Sequence, residues 1–153
     1  MNPNAQKAQT MFQEGFNCAQ AVLAACGEPR GLSHDVALHV AGPFGGGMAG
    51  MGETCGAVTG AFMVIGLKYA KTTPEDDLSK QNGYQLVRQF TARFKERNQT
   101  ICCRELLGCD ISTPQGMDRA KTMGLFKTIC PKLVHDAAEI VEELLTSSER
   151  SAP

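Results

Sequence analysis

Clustered positive charge is missing from this chain: nowhere do three Lys or Arg follow one another, and 15 basic residues face 16 acidic ones for a net charge of −1. Nucleic-acid recognition starts from a basic patch, so no such partner is expected. Long hydrophobic runs are missing too. The longest, Cys55 to Leu67, is closed by Lys68 and falls short of the roughly 18 to 20 residues that cross a bilayer, so it reads as a buried helix. The opening MNPNAQKAQTMFQ has neither the basic nor the apolar region of a secretory signal, which sets the expectation of a cytoplasmic protein without membrane contact. Alternating runs of β-branched residues are nearly absent, which argues against a sheet.

Several catalytic signatures are also lacking. There is no CxxC pair, which excludes a zinc ribbon, a bacterial ferredoxin or a thioredoxin motif, and no CxxCH for ordinary covalent haem. His34, His39 and His135 form no pair of the HExxH type, so satisfied or surface histidines are expected. Glu53, Glu105 and Asp110 lie beside cysteines, yet no carboxylate pair stands out as acid–base machinery. The stretch GPFGGGMAGMGE is rich in glycine but follows no strand, lacks GK[ST], and has Cys55 where GxGxxG needs its last glycine. It reads as a connection that lets the chain pass close to a site, with Met48 and Met51 as hydrophobic cover.

What is present is helical periodicity: apolar residues recur at three- and four-residue steps through most of the sequence. The expected fold is all-α, a compact bundle around the buried helix at about 55–71. A first helix spans about Ala5 to Glu14, and Gly15 either ends it before an Asn17-capped helix from Cys18 to Cys26 or sits inside one continuous helix. Ser33 caps a helix to about Val40, Thr54 opens the buried one, and Pro74 with Glu75, Asp76 and Asp77 starts a long helix to about Asn98. Leu78, Val87, Phe90 and Phe94 form its expected core face. CRELLG is a helical turn with Gly108 at its end, Thr113-Pro114 begin a helix to about Thr128, and Pro131 begins the last, which fades before SSERSAP. No repeat or linker divides residues 1–153, so one domain is expected, with its core at about 16–145 and a Ser-rich tail at 146–153.

Cysteine is the residue type that calls for a function. Seven of them are about 5% of the chain, below the roughly 8–10% of a disulfide scaffold, and an odd count in a reducing compartment points to metal or redox chemistry. Cys18 after Asn17, Cys55 after Thr54, Cys103 in the Cys102-Cys103 pair and Cys130 before Pro131 each fall at or near a predicted helix start. Unpaired N–H groups and the positive end of the helix dipole favour thiolate there and can donate to a metal-bound sulfur. Cys26 and Cys109 read instead as small buried hydrophobes. Gly56 and Gly60, with Ala57 and Ala61, strip one helix face of side chains beside Cys55. Interior glycines cost about 0.5–1 kcal/mol each, so close helix packing, a ligand, or both are implied.

Cys18 in FNCAQAV, Cys55 in CGAVTGA, Cys103 in CRELLG and Cys130 in ICPKLV together resemble the redox-active proteins named for their C_GCAxxG_C_C pattern, over roughly Phe16 to Leu145. The resemblance implies a redox role and a bound prosthetic group such as an iron–sulfur cluster. Cys26, Cys102 and Cys109 are additional, leaving the third position open between Cys102 and Cys103. The leading expectation is electron transfer or redox sensing through a cluster on Cys18, Cys55, Cys103 and Cys130, since soft thiolates select iron–sulfur clusters, zinc or Cu(I). Structural zinc in an interaction module is the alternative metal. A cofactor-free thiol–disulfide protein is the other alternative, with Cys55 as the catalytic nucleophile. The redox partner protein is not identifiable from the sequence, and a homodimer is the expected assembly.

Overall fold

Local capping chemistry sets most of the helix boundaries in the computed structural model, which describes residues 2–151. Helix α1 (Pro3–Gln13) starts behind Asn2, whose side chain accepts from the Asn4 and Ala5 N–H groups. Gly15, at φ +115°, turns the chain, so two helices form and not one. Asn17 and Gln20 then make a reciprocal capping box for α2 (Cys18–Gly27). Ser33 caps α3 (His34–Ala41). The next helices are α4 (Gly56–Lys68), α5 (Asp77–Asn98), α6 (Cys103–Leu107), α7 (Pro114–Thr122), α8 (Leu125–Thr128) and α9 (Cys130–Ser151). The fold is all-α, as the periodicity predicts, and no helix among the described residues is long and apolar enough to cross a membrane.

Helix α2 has almost no exposed face: every residue but Gln20 is buried. It packs on α1, α3, α4 and α9, and α9 in turn packs on α1, α4 and α5. The buried helix expected from Cys55 is α4, which ends at Lys68 and shares the centre with α2 and α9. Its two interior glycines have different neighbours but one purpose. A Cβ on Gly60 would come within 2.9 Å of the Ala19 carbonyl oxygen, and one on Gly56 within 3.1 Å of both the Ala19 nitrogen and the Phe44 oxygen. The bare face lets α4 lie against the backbone of α2.

Four boundaries differ from the sequence expectation. Thr54 caps nothing; it is held in an antiparallel bridge with Cys102, and Cys55 is itself the residue preceding α4. The long helix begins at Asp77 behind the Asp76 cap, so Pro74 lies outside it. The later start leaves Leu78 69% exposed, and Leu86 joins Phe90 and Phe94 in the core while Val87 packs at its edge. Gly124, at φ +66°, splits the predicted Thr113–Thr128 helix into α7 and α8. Finally, α9 continues through the Ser-rich segment to Ser151.

One buried ion pair ties the N-terminal half to α9. Arg30 donates to both Glu142 oxygens, at 2.8 and 3.1 Å, and Asn4 donates to the same carboxylate at 2.9 Å. Arg30 and Asn4 hold Glu142 below the usual carboxylate range although burial opposes this.

Candidate functional site

Cys18 is the first residue of α2, Cys103 the first of α6 and Cys130 the first of α9, while Cys55 immediately precedes α4. All four line one cavity of about 150 Å³, and all four are buried. Two long-range devices bring these helix starts together. The glycine face of α4 puts Gly56 against the Cys18 Cβ, where an added methyl would sit only 3.2 Å away. The bridge at Thr54 and Cys102 does the rest: Cys55 N–H donates to the Ile101 carbonyl at 2.8 Å and Cys103 N–H to the Glu53 carbonyl at 2.6 Å. Cys103 is thereby fixed beside Cys55 although 48 positions separate them in the sequence.

The rest of the cavity wall is apolar or amide: Phe12, Leu107, Phe126 and Leu133 among others, with Asn17 as the one polar side chain that is not a thiol. No histidine, carboxylate, lysine or arginine lines it. Cys102 stands outside, half-buried, its thiol donating to the Gly52 carbonyl at 3.5 Å. Cys109 donates to the Gly116 carbonyl at 3.6 Å and also stays out of the cavity. Cys26 is buried eight residues further along α2, beside Glu142. His34 pairs with Glu28, and His39 bonds the Asp35 carbonyl, so neither belongs to the thiol cavity.

The thiols perturb one another. Cys18 donates towards the Cys130 sulfur, which raises the Cys18 pKa well above its ordinary value, and burial and the other three cysteines push it the same way. The same contact lowers the Cys130 pKa, against burial. Burial pushes Cys55 up to about 11, although the Ala57 and Val58 N–H groups at the helix start favour its thiolate. Burial, then the neighbouring cysteines, push Cys103 up to about 12. A helix start alone therefore does not make Cys55 an acidic thiol; desolvation outweighs the N–H groups, and the thiol favoured for ionisation is Cys130.

The cavity is roofed by backbone. Residues Gly46 to Gly50 all have positive φ, between +50° and +73°, including the non-glycine residues Met48 and Ala49. This left-handed turn carries its own hydrogen bonds, such as Gly50 N–H to the Gly45 carbonyl and Gly52 N–H to the Gly46 carbonyl, both 3.0 Å. Gly47 could carry no side chain, because a Cβ there would meet the Cys103 Cβ at 2.7 Å. Arg104 clamps the end of the turn: its guanidinium donates to the Gly52 and Met51 carbonyls, each at 3.2 Å, and to Glu53 at 2.6 Å. Sequence reasoning missed Arg104. The signal was its place directly after Cys103, but its partners are about 50 positions away.

As a donor set, four thiols in a wall without competing ligands suit a soft metal centre. They surround a space; among the described residues no group of three or more His, Cys, Asp or Glu side chains closes on a point where one ion would sit. A group of several atoms, contacting the wall on several sides, fits this arrangement better than a single zinc ion. An iron–sulfur cluster would draw its ligands from Cys18, Cys55, Cys103 and Cys130.

A family model described as "Putative redox-active protein (C_GCAxxG_C_C)" matches residues 16–144, a span that contains all four cavity cysteines. The chain belongs to this family. No curated protein and no solved structure matches it. In this family member the cysteine and glycine pattern corresponds to an observable arrangement: separate helix starts drawn to one apolar cavity by a glycine-faced helix contact and a short backbone bridge.

Proposed function

We propose that this protein is an electron-transfer or redox-sensing protein whose cavity holds an iron–sulfur cluster on Cys18, Cys55, Cys103 and Cys130. The observation that carries the reading is the enclosure of one cavity by four thiols drawn from four different helix starts, with no other ligand type in its wall. The cluster supplies the one-electron chemistry; the chain supplies the soft ligands, N–H groups of Ala57 and Val58 aimed at the Cys55 sulfur, and an apolar wall that excludes water. Protein purified anaerobically should contain iron and acid-labile sulfide in equal amounts and absorb in the visible. A colourless sample that stays free of both after anaerobic reconstitution contradicts the proposal.

The contact between the Cys18 and Cys130 thiols supports a second reading, a cofactor-free dithiol carrier. In that reading the Cys130 thiolate attacks a partner's disulfide and releases one partner thiolate. Cys18 then attacks the mixed disulfide, loses its proton, closes a Cys18–Cys130 disulfide and frees the second partner thiol, so two electrons pass to the partner. Here Cys130 takes the nucleophilic role in place of Cys55. Mass spectrometry after treatment with an oxidised dithiol should find a Cys18–Cys130 linkage in cluster-free protein; a linkage confined to Cys102 or Cys109 contradicts it.

A further inference from the structure

A second cavity of about 420 Å³ opens between the C-terminal part of α4 and the first half of α5. Helix α4 spans 13 residues, so at about 1.5 Å per residue this groove lies roughly 20 Å along it from Cys55 and belongs to a different part of the molecule. Its volume is within the usual range for small-molecule sites, roughly 300–1,000 Å³. Phe62, Ile65 and Val87 give it an apolar floor, Tyr69 and Tyr84 line it, and Lys71 and Lys80 stand at its edge.

Two independent features indicate an occupant. The first is Gly66, an interior residue of α4 that lines the groove. Glycine there weakens a helix, and unlike Gly56 and Gly60 it has no packing reason, since a Cβ would meet nothing within 4 Å. Its effect is to leave the groove open. Gly83, across the groove on α5, does have such a reason: a Cβ there would collide with the Tyr69 carbonyl oxygen at 2.1 Å. The second feature is charge. Lys80 lies over the Tyr84 ring and Lys71 donates to the Pro74 carbonyl at 3.4 Å, but among the described residues no carboxylate pairs with either, whereas nearby Lys68 is paired with Glu149. An apolar floor beneath two cations without acid partners is complementary to an apolar body with an anionic head.

We infer that this groove binds a small apolar carboxylate, its hydrocarbon part over Phe62, Ile65 and Val87 and its carboxylate between Lys71 and Lys80. The chain contains a natural reporter, because its two tyrosines, Tyr69 and Tyr84, both line the groove and there is no tryptophan. Titrating the full-length protein with decanoate below its micelle concentration should change tyrosine emission saturably, and decanol should bind at least fivefold more weakly. The double substitution K71A/K80A should bring decanoate down to the affinity of decanol. G66L, which fills the opening without a backbone clash, should weaken both probes at least tenfold while far-ultraviolet circular dichroism stays unchanged. Absence of a saturable response to decanoate, equal binding of decanoate and decanol, or undiminished binding by folded G66L would each overturn the inference. None of these readouts depends on the thiol cavity.

Discussion

Cys18 and Cys26 sit on the same helix, both buried, yet their surroundings give them different chemistry. At the start of α2, Cys18 faces three other thiols across an apolar cavity. Near its end, Cys26 faces the Glu142 carboxylate, itself held by Arg30 and Asn4. Burial raises the pKa of Cys26, as do Glu142's charge and hydrogen bond, so its thiol remains a proton donor within a structural ion-pair network. The lesson is that burial does not separate a working cysteine from a packing one; the neighbours do. At one end the neighbours are soft ligands with nothing to neutralise, and at the other they are a satisfied charge pair.

The sharpest break of this contrast is Ser substitution at Cys55, Cys103 or Cys130. Each should lower cofactor retention or thiol redox capacity more than tenfold, because serine keeps the size but not the ionisable soft sulfur. The same change at Cys102 or Cys109, outside the cavity, should leave it nearly intact, and measured iron, sulfide and redox equivalents per chain decide the matter.

At the other end, E142Q leaves Arg30 buried without an anion and should cost about 3 kcal/mol of unfolding free energy in urea, with the thiol cavity unaffected. Because the folded pKa of Glu142 is depressed, its contribution is complete above the ordinary carboxylate value of about 4.3 and is lost as pH falls through the folded value. The stability difference between wild type and E142Q should therefore shrink on acidification below about pH 4.

Between the two ends lies the α2–α4 contact. G60A places a methyl 2.9 Å from the Ala19 oxygen, so despite its better helix propensity it should destabilise by about 1–3 kcal/mol. The smallest effect has the opposite sign: A49G relieves a positive φ in the left-handed turn and should stabilise by about 0.5–1 kcal/mol, which thermal unfolding can resolve.

Much of this arrangement was legible in the sequence because its signals are local. Asn17, Ser33, Gly108 and the Cys130-Pro131 step announce helix ends through side-chain or backbone chemistry within a few residues, and three of the four cavity cysteines follow from such ends. Thr54 was misleading because a residue that looks like a cap was claimed by a bridge to Cys102, 48 positions away. The same bridge distinguishes Cys102 from Cys103: it turns Cys103 into the cavity and leaves Cys102 on the Gly52 carbonyl. Leu78 was misplaced because three residues of error in the helix start change which face an apolar residue occupies. The left-handed turn over the cavity had only its glycines as warning; the positive φ at Met48 and Ala49 is imposed by tertiary hydrogen bonds and the Arg104 clamp.

The central claim is that the neighbours of a buried cysteine, and not its burial, decide its role, and C18S against C26S tests it on a single helix. Serine at position 26 finds Glu142 as a hydrogen-bond acceptor and should cost no more than about 1 kcal/mol of stability. Both variants, purified and reconstituted anaerobically alongside wild type, should differ in bound iron and sulfide per folded chain: C26S retains the wild-type amount and C18S loses at least nine-tenths of it. Equal retention by the two variants, or a loss in C26S as large as in C18S, contradicts the account.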